Sequence, residues 1–280
     1  MLRRILFACV LAASVATLTA CGGGVRSALD PVAEAASKST NAGGVKVSMK
    51  VTFSSGSQAG TITAEGAFDE DAGELTFDLS SLGPGSPQAA ALGEMKMIYV
   101  KEDGHTIVYV GMPFLASMLP DGKTWLKADV ERMAKLTGLD PNQLLGSSTQ
   151  NPADTLALLR ATGTVEKAGS DVIDGTPVTL YHATVDLVKA AELKGVSQST
   201  LDRLSAAGVS TQLPVDVWIG DDDGLVRQIR MSYDAGQNGQ QGSVLLTMTM
   251  TDWGTDVSVD APPDDQVFDA TELAATFGKS

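Results

Sequence analysis

Cys21 is the residue whose surroundings most clearly predict a chemical reaction. Two arginines precede an apolar run over residues 5–18, and the small residues of Leu18-Thr19-Ala20 lead directly to the cysteine. Basic, apolar and small residues in that order are typical of a secretory signal peptide. A cysteine at its end is typical of the bacterial lipobox, in which the signal is cleaved and the new N-terminal cysteine is acylated. We therefore predict a signal peptide over residues 1–20 and an acyl anchor, such as palmitate, on Cys21.

Two alternatives for this N-terminus stay open: an ordinary signal peptide with an incidental cysteine, and an uncleaved anchor helix. The apolar run is shorter than the stretch of about 20 residues that a bilayer span needs, which disfavours the helix. A lipid-anchored chain would lie at the extracytoplasmic face of the cell membrane. Gly22-Gly23-Gly24 begins a predicted flexible tether over residues 21–28. We expect residues 29–280 to form a single domain.

The histidines and the other cysteine offer little further chemistry. Cys9 lies inside the predicted signal peptide, so the mature chain would have neither a disulfide nor a free thiol. His105 follows a predicted turn and is interpreted as a solvated loop residue. His182 stands in a predicted strand beside Tyr181, where a hydrogen-bonded structural role is favoured over catalysis. These residues do not make the Cys and His cluster that structural zinc requires.

Asp221-Asp222-Asp223 could suggest a calcium loop, because calcium binds carboxylate oxygens. The ligand spacing and terminal glutamate of an EF-hand are absent, so a solvated hairpin turn is the favoured interpretation. The motifs HExxH, GxSxG and Walker A do not occur in the sequence. The sequence therefore gives no basis for an enzyme, a metal site or a bound cofactor.

The chain is acidic, with a formal net charge of −14 at pH 7. Loss of residues 1–20 removes two arginines and no acid, which leaves 18 basic against 34 acidic residues. Nucleic acid attracts cationic surfaces, so it is not an expected partner. Anionic headgroups also disfavour such a surface, so the predicted acyl anchor would hold the protein at the membrane. Solubility alone is a sufficient reason for this charge.

Periodicity predicts the elements that position these residues. Asp30-Pro31 has the form of an N-cap followed by proline at the first helical position, and it predicts a helix to about Thr40. From Val45 onward apolar and polar residues alternate, which is typical of antiparallel strands with one face in water. The predicted strands form a first group at 45–53, 61–68, 74–79, 95–100 and 106–110, and a second at 164–168, 177–186, 213–219, 228–233 and 244–251.

Helices are predicted between the two groups of strands and within the second group. Residues 126–129 lead into a helix with an apolar stripe over 130–136. Another begins at Asn151-Pro152 and carries Leu156, Leu158 and Leu159, after a polar loop at 147–151, and a third covers 187–207 with a break at Gly195. The two groups of strands could be divergent halves of one continuous sheet.

The apolar faces of the predicted strands are rich in methionine, a flexible side chain that is used on adaptable apolar surfaces. A sheet curled around such a face and closed by helices could leave a cavity for acyl chains. An ordinary packed core with some methionine is the alternative, and periodicity does not decide between the two. The candidate lining residues are Val47, Met49, Val51, Phe53, Leu75, Phe77, Ile229, Met231, Leu246, Met248 and Met250.

Several stretches between about residues 41 and 268 carry a family resemblance, although none of them is diagnostic alone. In this order and behind a lipobox, they resemble the LppX/LprG (LppX_LprAFG) group of actinobacterial lipoproteins, whose fold is similar to that of LolA and LolB. The stretches are GKTWLKAD at 122–129, Asn151-Pro152 with Leu156 and Leu159, VIDGTPVTLYHATVDL at 172–187, LPVDVWI at 213–219, GLVR at 224–227, DWG at 252–254, VSV at 257–259, APP at 261–263 and DQV at 265–267.

The resemblance implies an α+β fold: a single strongly curved antiparallel sheet, or half-barrel, with helices on its concave side around a hydrophobic pocket. It implies no catalytic residues, an acylated lipid or glycolipid as ligand, and a carrier or chaperone role in the cell envelope, where a membrane transporter could be a partner. The pocket lining follows no fixed motif in this group, so the ligand itself does not carry over. Trp125, Tyr181 and Trp218 could be packing anchors or ligand contacts.

Two other functions stay open. The chain could be a structural or partner-binding lipoprotein that presents its polar sheet face to another envelope component. It could also be a small-ligand sensor that uses a small pocket.

Overall fold

A computed structural model describes residues 30–55, 58–80, 93–137, 156, 159–186, 188–189, 212–234 and 242–271. The predicted signal peptide, Cys21 and the tether lie outside these residues. So do the loop at 147–151, most of the helix expected from Asn151 and most of the helical interlude expected at 187–207.

The described residues form one twelve-stranded sheet and two α-helices. In chain order these elements are α1 (Pro31–Thr40), β1 (Gly44–Ser55), β2 (Gln58–Phe68), β3 (Ala72–Asp78), β4 (Glu94–Glu102), β5 (His105–Gly111), β6 (Trp125–Asp129), α2 (Val130–Thr137), β7 (Thr162–Ile173), β8 (Thr176–Asp186), β9 (Gln212–Gly220), β10 (Val226–Asp234), β11 (Gly242–Thr255) and β12 (Val267–Asp269).

The strands follow one another across the sheet in the order β12-β6-β5-β4-β3-β2-β1-β11-β10-β9-β8-β7. Neighbouring strands are antiparallel, apart from β12, which runs parallel to β6. Pairing of β1 with β11 joins the two predicted groups of strands into one continuous sheet. The sheet does not close on itself, and the predicted α+β fold with one curved antiparallel sheet is confirmed.

The register of the central strands separates polar from apolar side chains. Lys50 lies opposite Thr63 on β2 and Thr247 on β11, whereas Met49 lies opposite Ala64 and Met248. Successive side chains of a strand point to opposite faces, so the alternation in the sequence becomes two distinct surfaces. We call the face that carries Met49 the inner face and the face that carries Lys50 the outer face.

Helix α1 begins and docks through polar side chains. The Val32 and Ala33 amides donate to the Asp30 carboxylate at 3.0 and 3.2 Å, which satisfies donors that a helix start leaves free. On the face that packs against the sheet, the Val226 amide donates to the Ser39 hydroxyl at 2.8 Å. This buried hydrogen bond fixes the C-terminal turn of α1 at the start of β10.

The inner face and the helices share one hydrophobic core. Val32 and Ala36 of α1 are fully buried in it, and Val130 of α2 is 4% exposed. Leu156 and Leu159, which precede β7, belong to the same cluster. The helical segments therefore cover the inner, concave side of the sheet.

A second, smaller cluster lies on the outer face of β4 and β5. Residues 256–266 lead from β11 to β12 at the far edge of the sheet, and Val259 and Val267 join Ile98 in this cluster. Ile98, Ile107, Tyr109 and Val267 are each less than 10% exposed. The C-terminal segment thus covers part of the face opposite the main core.

Two local predictions were wrong, and one strand was not predicted. Residues 126–129 belong to strand β6 rather than to the approach of a helix, because they pair with β5 and β12. Strand β12 had no sequence signal, since it has three residues and depends on its pairing with β6. Strand β7 continues to Ile173 instead of ending at residue 168, because its ladder with β8 extends to the turn at Asp174-Gly175.

Candidate functional site

The eleven residues predicted to line a cavity all stand at inner-face positions. The cross-strand pairs of β1 with β11 place them side by side at the centre of the sheet, and β3 and β10 continue the same surface. The pairs are Val47 with Met250, Met49 with Met248, Val51 with Leu246, Ile229 with Met248 and Met231 with Leu246, while Leu75 and Phe77 lie opposite Gly66 and Ala64.

Burial along the inner face changes from one end to the other. Near α1, Met250 and Ile229 are fully buried and Val47 is 3% exposed. Toward the opposite end of β1, Val51 and Phe53 are only half-buried. The inner face of β1 is therefore closely packed at the α1 end and partly uncovered at the other end, which we call the open end. Leu246 of β11, opposite Val51, is 3% exposed.

Small residues of β2 leave space on the inner face for the larger side chains of the neighbouring strands. A Cβ added at Gly60 would lie 2.4 Å from Cζ of Phe53, so the Phe53 ring occupies the space above this glycine. Ala64, on the same strand, is 2% exposed beneath its larger neighbours Met49 and Phe77. The aromatic side chain of Phe53 can therefore lie flat along the sheet at the open end.

Two polar side chains adjoin this apolar surface. Thr162, at the start of β7, is 6% exposed and its hydroxyl has no protein partner. Tyr181 of β8 packs half-buried against the main core. A buried hydroxyl without a partner is energetically unfavourable, so a ligand or a water molecule at Thr162 would stabilise this position.

The aromatic residues Trp125, Tyr181 and Trp218 of the quoted sequence stretches separate in the structure. Tyr181 faces inward, whereas Trp125 belongs to the outer cluster, where its ring lies over Gly111. Trp218 lies on the outer face under the Arg230 guanidinium, whose carbon is 4.9 Å from the ring centre. Trp125 and Trp218 are therefore packing residues of the outer face.

His182 takes part in a charged network on the outer face. Its Nδ1 is 2.7 Å from one carboxylate oxygen of Asp216, and Arg230 donates to the other oxygen at 2.6 and 3.1 Å. The three residues lie on the adjacent strands β8, β9 and β10. This arrangement is a structural ion-pair network that links three strands.

The aspartates at 221–223 make the turn between β9 and β10. Asp223 accepts a hydrogen bond from the Leu225 amide at 3.0 Å and pairs with Arg227, and Asp221 accepts from the Thr179 hydroxyl at 2.7 Å. The carboxylates of Asp221 and Asp223 are thus held by hydrogen bonds within this turn and from β8.

His105 is not the solvated loop residue that the sequence predicted. It begins β5, and its Nδ1 lies 3.0 and 2.9 Å from the two carboxylate oxygens of Asp129, at the end of β6. Burial alone would raise the pKa of Asp129, but hydrogen bonds from His105 and the Arg132 amide outweigh it and lower that pKa. No sequence pattern indicates this pair, because it depends on the pairing of β5 with β6.

Two grooves lie largely on the outer face. The larger, of about 950 Å³, runs between the β7–β8 turn and residues 256–259, and Lys46, Glu65 and Glu74 line part of it. The smaller, of about 600 Å³, surrounds His182 and Asp216. Their charged linings do not suit an acyl chain, because a buried charge needs polar partners.

No family model matches the chain. The chain is 28% identical over 211 residues to an uncharacterised 31.2 kDa protein from the rplA–rplJ intergenic region of Streptomyces griseus. That match covers 73% of this chain and 66% of the relative.

The chain is also similar to several solved structures. For the lipoprotein LppX of Mycobacterium tuberculosis the identity is 18% and the TM-score 0.44, over 82% of this chain and 98% of that one. LprF of Mycobacterium bovis is 14% identical with a TM-score of 0.43, and the match covers 83% of this chain and 95% of that one. A LolA-superfamily protein of Nitrosomonas europaea is 8% identical with a TM-score of 0.27, and the match covers 78% of this chain and 93% of that one.

Within the described part of the chain, every helix is too short or too polar to cross a membrane.

Proposed function

We propose that the protein is a non-catalytic lipoprotein that binds an acylated lipid or glycolipid against its inner face and carries or chaperones it in the cell envelope. The observation that carries this proposal is the apolar inner face of β1, which is packed at the α1 end and half-buried at the open end. An acyl chain that enters at the open end would lie along Val51, Phe53 and Phe77. Flexible methionines deeper in the face could adapt to its shape.

Burial of the chain supplies the binding energy in this proposal. Each buried methylene contributes about 0.8 kcal/mol, so a long acyl chain needs no charged contact to be held. A polar headgroup would stay near the solvent at the open end. The resemblance to the LppX/LprG group supports this class of ligand. An N-terminal acyl anchor on Cys21 would keep the domain, residues 29–280, beside the membrane from which lipid is taken.

The test compares two neighbouring residues that point to opposite faces. Val51→Trp adds bulk at the open end of the inner face, so it should displace lipid and lower the amount recovered by mass spectrometry from the purified protein. Thr52→Trp makes a similar change on the outer face, where Thr52 lies opposite Thr61 on β2. It should leave lipid recovery unchanged.

A third variant separates lipid binding from core packing. Met248 is fully buried, so Met248→Trp should overpack the core and destabilise the fold, typically by about 1–3 kcal/mol. Val51→Trp should melt near the wild-type temperature, because its side chain enters partly uncovered space. If Val51→Trp destabilises as strongly as Met248→Trp, and the wild type never yields lipid, the inner face is a plain core. The protein would then be a structural or partner-binding lipoprotein.

A further inference from the structure

We propose that His105, Asp129 and Glu131 form a binding site for a divalent transition-metal ion such as zinc. They come from three elements: His105 begins β5, Asp129 ends β6 and Glu131 lies in the first turn of α2. One ligand atom from each residue lies within 4.8 Å of the other two. An imidazole nitrogen with two carboxylate oxygens is a donor set that zinc accepts, with a fourth position left for water.

The distances need little adjustment to admit an ion. Zinc binds nitrogen and oxygen at about 2.0–2.2 Å, so two tetrahedral ligands lie about 3.4 Å apart. Nδ1 of His105 is already 2.9 and 3.0 Å from the Asp129 oxygens. An ion that replaces the Nδ1 proton would separate this pair by a few tenths of an ångström. A Glu131 carboxylate oxygen already lies within 4.8 Å of both, and its second lone pair would supply the third donor.

Backbone and hydroxyl groups already orient both carboxylates. The Arg132 amide donates to Asp129 at 2.8 Å. The Thr106 amide and hydroxyl donate to the two oxygens of Glu131 at 2.7 and 3.0 Å. Such outer hydrogen bonds hold metal ligands in place and strengthen binding. The two carboxylates also provide the negative charge that attracts a divalent cation.

The site is reachable from solvent but not fully exposed. The side chain of His105 is 39% exposed, and that of Asp129 is 18% exposed. An ion can therefore enter directly, while its ligands stay held by the sheet and by α2. Bound metal would join α2, whose Val130 reaches the main core, to strands β5 and β6 near one edge of the sheet.

The second histidine provides a contrast within the same molecule. His182 also contacts an aspartate, Asp216, at 2.7 Å. The second partner of Asp216 is the cationic Arg230 guanidinium, which donates to the other oxygen of that carboxylate. A positive group at the third position repels a metal ion, whereas Glu131 attracts one. Two similar His–Asp pairs should therefore differ in metal binding.

The experiment uses chelator-washed mature protein in detergent, produced without a polyhistidine tag. Zinc is titrated by calorimetry, and Co²⁺ is followed by its visible absorption, whose intensity reports tetrahedral coordination. We expect one ion per wild-type chain and a rise in melting temperature with zinc. His182→Ala should behave like the wild type in each measurement.

His105→Ala should lose the cobalt spectrum and the zinc-dependent rise in melting temperature. Glu131→Gln should weaken zinc binding by more than the roughly 10–100-fold loss that removal of an outer hydrogen-bond partner brings. Glu131→Gln keeps an oxygen for the Thr106 hydrogen bonds, so it decides the result if His105→Ala does not fold. The proposal is overturned if the wild type binds no stoichiometric zinc, or if binding survives in His105→Ala or is lost equally in His182→Ala.

Discussion

At the scale of single residues, the size of each side chain sets how closely α1 approaches the inner face. Ala35 and Ala36 have small side chains and are at most 3% exposed, so the helix backbone can lie near the strands. Ser39 then reaches the Val226 amide, which would otherwise be buried without a partner. The open end has no comparable contact from α1. This difference separates the packed Met250 from the half-buried Val51.

The anchor prediction also belongs to a single residue. Cys21→Ser removes the thiol that acylation requires, so the variant should be released from the membrane. Stable retention needs more than one acyl chain, because a single chain binds only marginally. Detergent phase partitioning measures the effect, and Cys9→Ser is the matched control because Cys9 lies inside the predicted signal peptide. A Cys21→Ser protein that still partitions wholly into detergent would contradict the lipobox prediction.

At the scale of elements, the segment from β11 to β12 changes the role of the outer face. Over β1 and β2 this face carries the polar side chains expected from alternation, such as Lys50 and Thr63. Over β4 and β5 it carries a small core that Val259 and Val267 complete. Burial inside this cluster also raises the pKa of the Tyr109 phenol. The polar groove and the second core thus lie on one sheet surface.

Ile98→Ala should reveal that second core in a stability measurement. Ile98 is 4% exposed on the outer face, so its truncation leaves a cavity and should destabilise the protein by about 2–5 kcal/mol. Lys96→Ala is the matched control on the same face of the same strand. Lys96 makes an exposed ion pair with Glu74 at 3.6 Å, whose loss should change stability by less than about 1 kcal/mol. Urea unfolding measures both, and equal small effects would mean that the C-terminal segment does not cover Ile98.

The alternation of apolar and polar residues predicted most of the strands, because β1–β3 and β9–β11 each have one apolar and one polar face. It could not predict β6, whose five residues are all half-buried and show no contrast between faces. It could not predict β12 either, because that strand depends on a partner about 140 residues away in the chain. The inner-face positions of the candidate residues followed from alternation. The sequence pattern could not show which end of that face is packed, because this depends on where α1 docks. It could not show the contact of His105 with Asp129 either, because this depends on the pairing of β5 with β6.

At the scale of the whole molecule, the pairing of β1 with β11 makes one sheet from the two groups of strands. Eleven residue pairs connect these two strands, with a register shift between Gly44 and Lys46. The inner-face core is continuous across this junction. The two halves therefore share both their hydrogen bonds and their buried surface, and we expect them to unfold together.

Single-tryptophan variants can test this cooperativity. One variant keeps Trp125 of β6 and the other keeps Trp218 of β9, and the remaining two tryptophans of each are replaced by phenylalanine. Trp125 reports on the half of the sheet that contains β1–β6, and Trp218 reports on the half that contains β7–β11. Urea midpoints followed by the two fluorescence signals should coincide with each other and with circular dichroism. Circular dichroism recorded on each variant corrects for any stability lost through the phenylalanine substitutions. Separate midpoints within one variant would mean that the halves are independent units.

The order of strands leaves β7 and β12 at the two borders of the sheet. An exposed border strand can pair with a border strand of another copy, which leads to aggregation. Strand β7 forms one border, and register shifts at Thr162–Thr164 and Lys167–Gly169 interrupt its ladder, while the exposed Glu166 and Lys167 add charge. At the other border β12 is only three residues long. Copies crowded side by side therefore do not find two long, flat borders through which one sheet could continue into the next.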